Sequence, residues 1–336
     1  MTLRAPRSRL IWLAAAGFGY GIAAFVLASC APEVPDVNEP TLLFGTFVWN
    51  GLERTYAVYA PADPTAPTPV VFVLHGGLGS ADSVWESENG RSWRTLADEH
   101  GFLIIIPEGR PDPENADRHH WNDCRADINN VDAISTEDDV GYIGALIDHL
   151  AAETWVDADR IYVTGASNGG MMTFRLAMQL GDRFAAAAAT IANLPDPSDC
   201  PFAATPLPIL IMNGTADPLM PYAGGCVAGP ACNRGRVRST DETVAFWVAV
   251  NDAETSAEEV NLPNRVSADD STVTVFTHRG NSTGQDVVLY RIDGGGHSIP
   301  GPEPTMTSLR AVIRKNQDID AAVEIWRFFA QHARSS

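Results

Sequence analysis

The segment Gly165-Ala166-Ser167-Asn168-Gly169 places a serine among glycines, just after an apolar run at residues 161–163 and before a helical pattern at 170–180. A serine in a sharp strand-to-helix turn carries its hydroxyl outward at the end of a sheet, and the glycines keep Cβ atoms out of the bend. The helix N-terminus that follows adds unpaired N–H groups and positive potential. A hydroxyl there is a weak nucleophile until a base takes its proton, and the base needs a carboxylate to hold it. His297 is the candidate base. It ends Gly294-Gly295-Gly296-His297, after the apolar run 287–292, and a Gly-rich loop can carry an imidazole across to another strand end. His278 sits in the charged His278-Arg279-Gly280 and reads as surface. The candidate carboxylate is Asp217, which follows the run 208–212 in Asn213-Gly214-Thr215-Ala216-Asp217-Pro218. Its rivals Asp252, Asp269 and Asp270 fall in polar stretches, and Asp293 is too near His297 in sequence. The bland alternative for Ser167 is a helix N-cap in a Gly-rich turn.

A second Gly-rich segment, His75-Gly76-Gly77-Leu78-Gly79, follows the apolar run 70–74. It can aim backbone N–H groups at a developing oxyanion, with the N–H of Asn168 as the other donor. A phosphate-cradling loop fits poorly, because no Gly-x-Gly-x-x-Gly opens a helix here and no lysine follows. Trp121 and Asn122 lie on a long polar stretch, residues 107–136, where they are candidates to line a cleft, with packing under that loop as the alternative for Trp121.

These groups must be brought together by strands that end on one side of a sheet. Strand-like runs at 43–48 and 54–59 flank Asn50-Gly51, a hairpin signal. Short continuous apolar runs at 70–74, 102–106, 161–163, 185–191 and 208–212 read as strands buried on both faces. Helical patterns intervene at 92–99, 140–152 and 170–180. Ser239 with Glu242 makes a capping box for a helix through Val250. Strands at 272–277 and 287–292 and an amphipathic helix at 319–332 complete the pattern. Such alternation predicts an α/β fold, a mostly parallel central sheet with helices on both faces, formed by residues 43–336 as one unit.

The chain has 336 residues and a formal charge of −19, with 42 acidic residues against 23 basic ones and Lys315 its one lysine. A chain this acidic repels phosphate backbones, which argues against nucleic-acid partners. At the N-terminus, Arg4, Arg7 and Arg9 precede an uncharged run at residues 10–26 and then Leu27-Ala28-Ser29-Cys30. A basic start, an apolar stretch and small residues before a cleavage point read as an export signal, residues 1–29. The last four residues resemble the bacterial lipoprotein box, which implies lipidation of Cys30 and a membrane-anchored protein; plain secretion or an uncleaved anchor helix are the alternatives. Residues 30–42, with Pro32, Pro35 and Pro40, read as a tether. Cys124, Cys200, Cys226 and Cys232 remain, and four exported cysteines allow three pairings. Cys226 and Cys232 enclose a short loop that closes easily, which leaves Cys124 for Cys200. A zinc site is the weaker reading, since no Cys-x-x-Cys is present.

The blocks Leu74-His75-Gly76-Gly77, His120-Trp121-Asn122-Asp123, Asp138-Asp139-Val140-Gly141, Gly165-Ala166-Ser167-Asn168-Gly169-Gly170-Met171, Gly214-Thr215-Ala216-Asp217-Pro218 and Gly294-Gly295-Gly296-His297 resemble the polyhydroxybutyrate depolymerase / feruloyl esterase family of secreted hydrolases. The resemblance runs in order over residues 43–332. It implies an α/β-hydrolase fold and serine-dependent cleavage of carboxylic esters. It also implies a triad of Ser167, Asp217 and His297, with oxyanion donors at Gly77 or Leu78 and at Asn168. No metal or organic cofactor is needed for that chemistry. The implied substrates are a feruloyl or acetyl ester on plant polysaccharide, or a short hydroxyalkanoate oligomer. A transferase passing the acyl group to an alcohol, and a catalytically silent surface lipoprotein, are the competing classes.

Overall fold

In a computed structural model, which describes residues 41–61, 67–113, 115–128, 135–153, 155–282, 284–304 and 314–334, the Asn50-Gly51 signal becomes a tight hairpin. Strands β1 (Thr41–Trp49) and β2 (Leu52–Ala60) pair antiparallel on either side of it. Asn50 and Gly51 take φ of 50° and 79°, the left-handed pair that suits the twist of the strands. The export signal, Cys30 and residues 31–40 of the tether lie outside the described residues; Thr41 and Leu42, expected in the tether, already belong to β1.

The buried runs become β3 (Thr68–Leu74), β4 (Leu103–Pro107), β5 (Val156–Ala166), β6 (Ala186–Thr190) and β7 (Ile209–Gly214). Three further strands are β8 (Glu258–Asn261), β9 (Thr272–His278) and β10 (Val287–Asp293). All ten join one sheet in the order β1-β2-β4-β3-β5-β6-β7-β10-β9-β8. The six from β4 to β10 run parallel, and antiparallel pairs close both edges. The parallel centre is why β3 is buried along its whole length.

Period-two alternation sorts its side chains between two cores. Val70, Phe72 and Leu74 face one core with α3 (Asp139–Ala151), α4 (Asn168–Gln179) and α5 (Thr240–Val250). Val71 and Val73 face the other, with α1 (Ala81–Glu86), α2 (Glu88–His100) and α6 (Ala321–Phe329). In this second core Trp326 stacks on Phe102 at 4.1 Å and Phe329 on Tyr162 at 4.8 Å. Each such fully buried side chain contributes about 1.5–3 kcal/mol.

Several boundaries differ from expectation for local reasons. Helix α2 is longer than residues 92–99, because Ser87 caps it by accepting from Gly90 N and Gly101, at φ 69°, ends it. Helix α1 is a single capped turn and a half, too short for periodicity to reveal. Strand β5 begins five residues early, since a polar first half is tolerated before the buried Ile161. The stretch 107–136 is not featureless: Arg110–Pro111 and His119–His120 form a small antiparallel ribbon. The capping box at Ser239 and Glu242 is present as expected. Cysteines 124 and 200 are joined, with Cα atoms 5.6 Å apart, and so are 226 and 232, at 4.7 Å. No helix among the described residues is long and apolar enough to cross a membrane.

Candidate active site

Ser167 stands between β5 and α4 with φ 55° and ψ −121°, a backbone conformation that costs an L-residue about 1–3 kcal/mol. Its surroundings impose it. The Ser167 N–H donates to the Thr190 carbonyl at 3.0 Å, and Met171 N donates to the Ser167 carbonyl at 2.9 Å. The turn closes so tightly that a Cβ on Gly165 would lie 2.4 Å from the Gly169 carbonyl oxygen, and one on Gly169 2.3 Å from that of His75. The glycines are therefore required by contact, and not by flexibility.

The base and the acid come from adjacent parallel strands, β10 and β7, whose trailing loops are strapped together. Thr215 N donates to the Ile292 carbonyl and Ala216 N to the Gly295 carbonyl, both at 2.9 Å. Gly294 N donates to the Thr215 hydroxyl at 2.9 Å. That lacing sets His297 Nδ1 2.6 Å from Asp217 Oδ2 and His297 Nε2 3.1 Å from the Ser167 hydroxyl. The other carboxylate oxygen, Asp217 Oδ1, accepts the N–H groups of Leu219 and Met220, each at 2.8 Å. The Asp217 side chain is only 1% exposed, so its charge is held by these donors instead of water. An anion fixed in this way keeps the proton on Nδ1 and presents the Nε2 lone pair to the serine.

The Gly-rich loop expected to supply oxyanion donors lies beside Asn168, and one of the three candidate N–H groups is engaged elsewhere. The Leu78 N–H donates to the His119 carbonyl at 2.9 Å and is spent there. The Gly77 and Asn168 N–H groups have no acceptor among the described residues, and a Cβ on Gly77 would lie 3.5 Å from Asn168 Cβ. The loop is clamped from the ribbon: His119 N donates to the Gly79 carbonyl at 2.9 Å. Beneath it His75 donates from Nδ1 to the Gly76 carbonyl at 2.8 Å and accepts from Gly109 N at 3.1 Å. Burial pushes the His75 imidazole down to about 3, which keeps it neutral in that role.

Trp121 and Asn122 do not line a cleft beside Ser167; they border a cavity of about 320 Å³ with Asp123, Arg125 and Cys200, whose walls do not include Ser167. Trp121 is 1% exposed, its ring stacked on His75 at 4.9 Å and its indole N–H donating to the His75 carbonyl at 3.0 Å. Asn122 N donates to Asp139 Oδ2 at 2.7 Å, and its side-chain amide to the Glu137 carbonyl at 3.1 Å. The physical reason is Asn168. Its side-chain oxygen accepts from Trp121 N at 2.8 Å, and its amide donates to the Trp121 carbonyl at 3.0 Å and to Asp123 Oδ2 at 2.6 Å. The long loop is thus pinned to the residue after the nucleophile. Asp123, buried and paired with Arg125 at 2.8 Å, and His75 are the positioning residues the sequence reading leaves without a role. The dense polar block His120-Trp121-Asn122-Asp123 is their signal, since buried polar residues need partners.

Comparison with known proteins bears on this site. NocK of Nocardia uniformis subsp. tsuyamanensis, named an esterase, is 32% identical over 274 residues, 79% of this chain and 76% of that protein. The chain belongs to this esterase family. Feruloyl esterase B of Piromyces equi is 30% identical over 240 residues, 68% of this chain and 39% of its own length. A poly(3-hydroxybutyrate) depolymerase of Ralstonia pickettii is 29% identical over 195 residues, 53% of this chain, which spans 37% of that protein. The sequence profile of the prolyl oligopeptidase family matches residues 136–194, the segment from α3 through the nucleophile turn and α4 to just past β6. Among solved structures, an acetyl xylan esterase from Aspergillus awamori aligns with a TM-score of 0.52 at 16% identity, covering 76% of this chain and 94% of that one, a likeness of fold. The esterase described here is thus an α/β-hydrolase and a serine hydrolase of carboxylic esters.

Proposed function

We propose that Ser167 attacks the ester carbonyl, with His297 as base and then acid and Asp217 as its orienting anion. As the Ser167 Oγ–C bond forms, the hydroxyl proton passes to His297 Nε2 and the carbonyl oxygen becomes an oxyanion. The imidazolium formed lies against Asp217 and returns the proton to the departing alkoxide as the C–O bond breaks. Water then repeats the sequence on the acyl-enzyme, its proton going to His297 and back to Ser167, and releases the acid. The oxyanion is received by the N–H groups of Gly77 and Asn168, each contributing about 2.7–4 kcal/mol to the transition state. The observation that carries the reading is the unbroken line from Asp217 through His297 to Ser167, ending beside two uncommitted N–H groups.

The substrate class is a carboxylic ester, with an acetyl, feruloyl or hydroxyalkanoyl acyl group. Export with lipidation at Cys30 would place the activity at a membrane surface, and the two disulfides suit an oxidising compartment. The test is labelling with a small fluorophosphonate alongside hydrolysis of p-nitrophenyl acetate. Wild type should label at Ser167 and turn over the ester. A Ser167→Ala variant that still labels, or still hydrolyses at the wild-type rate, would overturn the assignment.

A further inference from the structure

Behind the nucleophile turn lies a cavity of about 170 Å³. Its walls include Gly76, Ala166 and Ile299. These are the neighbours of the three working groups: one residue before Gly77, one before Ser167 and two after His297. A Cβ on Gly76 would lie 3.7 Å from Ser167 Cβ, so only the absence of that one atom separates the cavity wall from the nucleophile. Val84 of α1 and Ile325 of α6 add apolar side chains to the wall. Three of the four hydroxyls on the wall are turned to the backbone, leaving that of Thr164: Ser83 Oγ donates to the Ser80 carbonyl, Ser87 Oγ to that of Val84 and Thr190 Oγ1 to that of Gly165. The space they leave is lined chiefly by apolar surface. A larger cavity, about 670 Å³ along α5 and β10, has no wall residue within two positions of Ser167, Gly77 or His297.

We infer that this small cavity receives the acyl group of the ester and limits its size, with Ile299 as the residue that sets the limit. The inference rests on the proposed role of Ser167, because the wall residues Gly76 and Ala166 directly precede Gly77 and Ser167, between which the acyl carbon would be held. An apolar cavity of about 150 Å³ holds one benzene molecule. An acetyl or butanoyl chain fits a space of that order. A feruloyl group, a substituted ring on a three-carbon chain, has about twice the heavy atoms of benzene and overfills it, which a close-packed wall does not absorb. The acyl preference is therefore for short aliphatic chains over phenylpropenoid ones. Ile299 is the wall residue placed to decide this, since it is only partly buried and lies on the loop that carries His297, outside every helix and strand.

The test keeps the leaving group constant. kcat/KM is measured for the p-nitrophenyl esters of acetate, butanoate, octanoate and ferulate with wild type, Ile299→Ala and Ile299→Trp, each protein first titrated with a small fluorophosphonate. Wild type should favour acetate and butanoate over octanoate and ferulate by about 10²-fold, the scale on which a packed apolar pocket discriminates. Ile299→Ala should raise the octanoate-to-acetate ratio about tenfold, and Ile299→Trp should lower the butanoate-to-acetate ratio by a similar factor. The two variants move the ratio in opposite directions, which general damage to the fold does not do. Full labelling with the same ratio in all three proteins, or wild type cleaving ferulate as fast as acetate, overturns the cavity assignment alone. Absence of labelling in wild type overturns the serine mechanism, and this inference falls with it.

Discussion

Replacing Asp217 by asparagine changes one atom and should remove most of the activity. Asp217 Oδ1 accepts two backbone N–H groups at 2.8 Å each, while Oδ2 faces His297 Nδ1 at 2.6 Å. An asparagine has two ways to sit there. Turning its NH₂ toward Leu219 and Met220 would set donors against donors and strand two N–H groups, at about 1–3 kcal/mol each. The favoured orientation keeps the oxygen on those N–H groups and points the NH₂ at His297. Nδ1 must then accept, so the ring proton moves to Nε2, where it faces Ser167 and cannot take the serine proton. The same exchange in a serine protease triad lowers kcat by about 10⁴-fold, or about 5.5 kcal/mol of transition-state stabilisation. Rates with p-nitrophenyl acetate should fall by that order. The melting temperature should stay near that of wild type, because both Oδ1 contacts survive. A kcat reduced less than about tenfold would refute the argument that the carboxylate fixes the tautomer.

Ser167→Ala should cost about 10⁶-fold in kcat, and Ser167→Gly should be more stable than Ser167→Ala by about 1 kcal/mol because it relieves the positive φ; rate assays and thermal melts check both. Desolvation holds His75 down to about 3, so the unfolded chain binds a proton near pH 6.5 that the folded chain refuses until about pH 3. Stability present above pH 6.5 should therefore drain away as pH falls through that window, and melts of His75→Gln from pH 7 to 4 should show a shallower decline than wild type. The Cys124–Cys200 pair closes a separation of 76 residues, so the double serine variant should lose about 4–5 kcal/mol in denaturant unfolding, with non-reducing peptide maps of wild type giving that pair. Cys30→Ala should move the protein from the membrane fraction to the soluble or secreted one, and an N-terminal peptide without acyl mass in wild type would contradict the lipid anchor.

The triad is legible in the chain because each member follows an apolar run with a glycine within three residues of it, a local signature of a strand giving way to a tight loop. The parallel centre is equally legible, since strands buried on both faces leave continuous runs such as Val70-Val71-Phe72-Val73-Leu74. What escapes is decided at long range. That Leu78 cannot be a donor depends on His119 folding back over it, and nothing near Leu78 announces this. Trp121 lies on a polar stretch that reads either as a cleft wall or as packing under the loop, and Asn168 decides it by drawing the Trp121 backbone inward and burying the ring. Edge strand β8, Glu258-Glu259-Val260-Asn261, is exposed and carries no apolar alternation to find.

The strand order has a consequence for synthesis. Strand β10 is made last of the ten, yet it lies between β7 and β9 in the sheet. A nascent chain released between residues 217 and 287 holds Ser167 and Asp217 but lacks the base, and β7 has no parallel neighbour on that side. The nucleophile is made 130 residues ahead of the group that activates it. On the proposed mechanism, ester cleavage thus reports a chain made past its last strand: shorter or partly threaded polypeptides carry the serine in a silent form, armed only when that strand slots into the sheet.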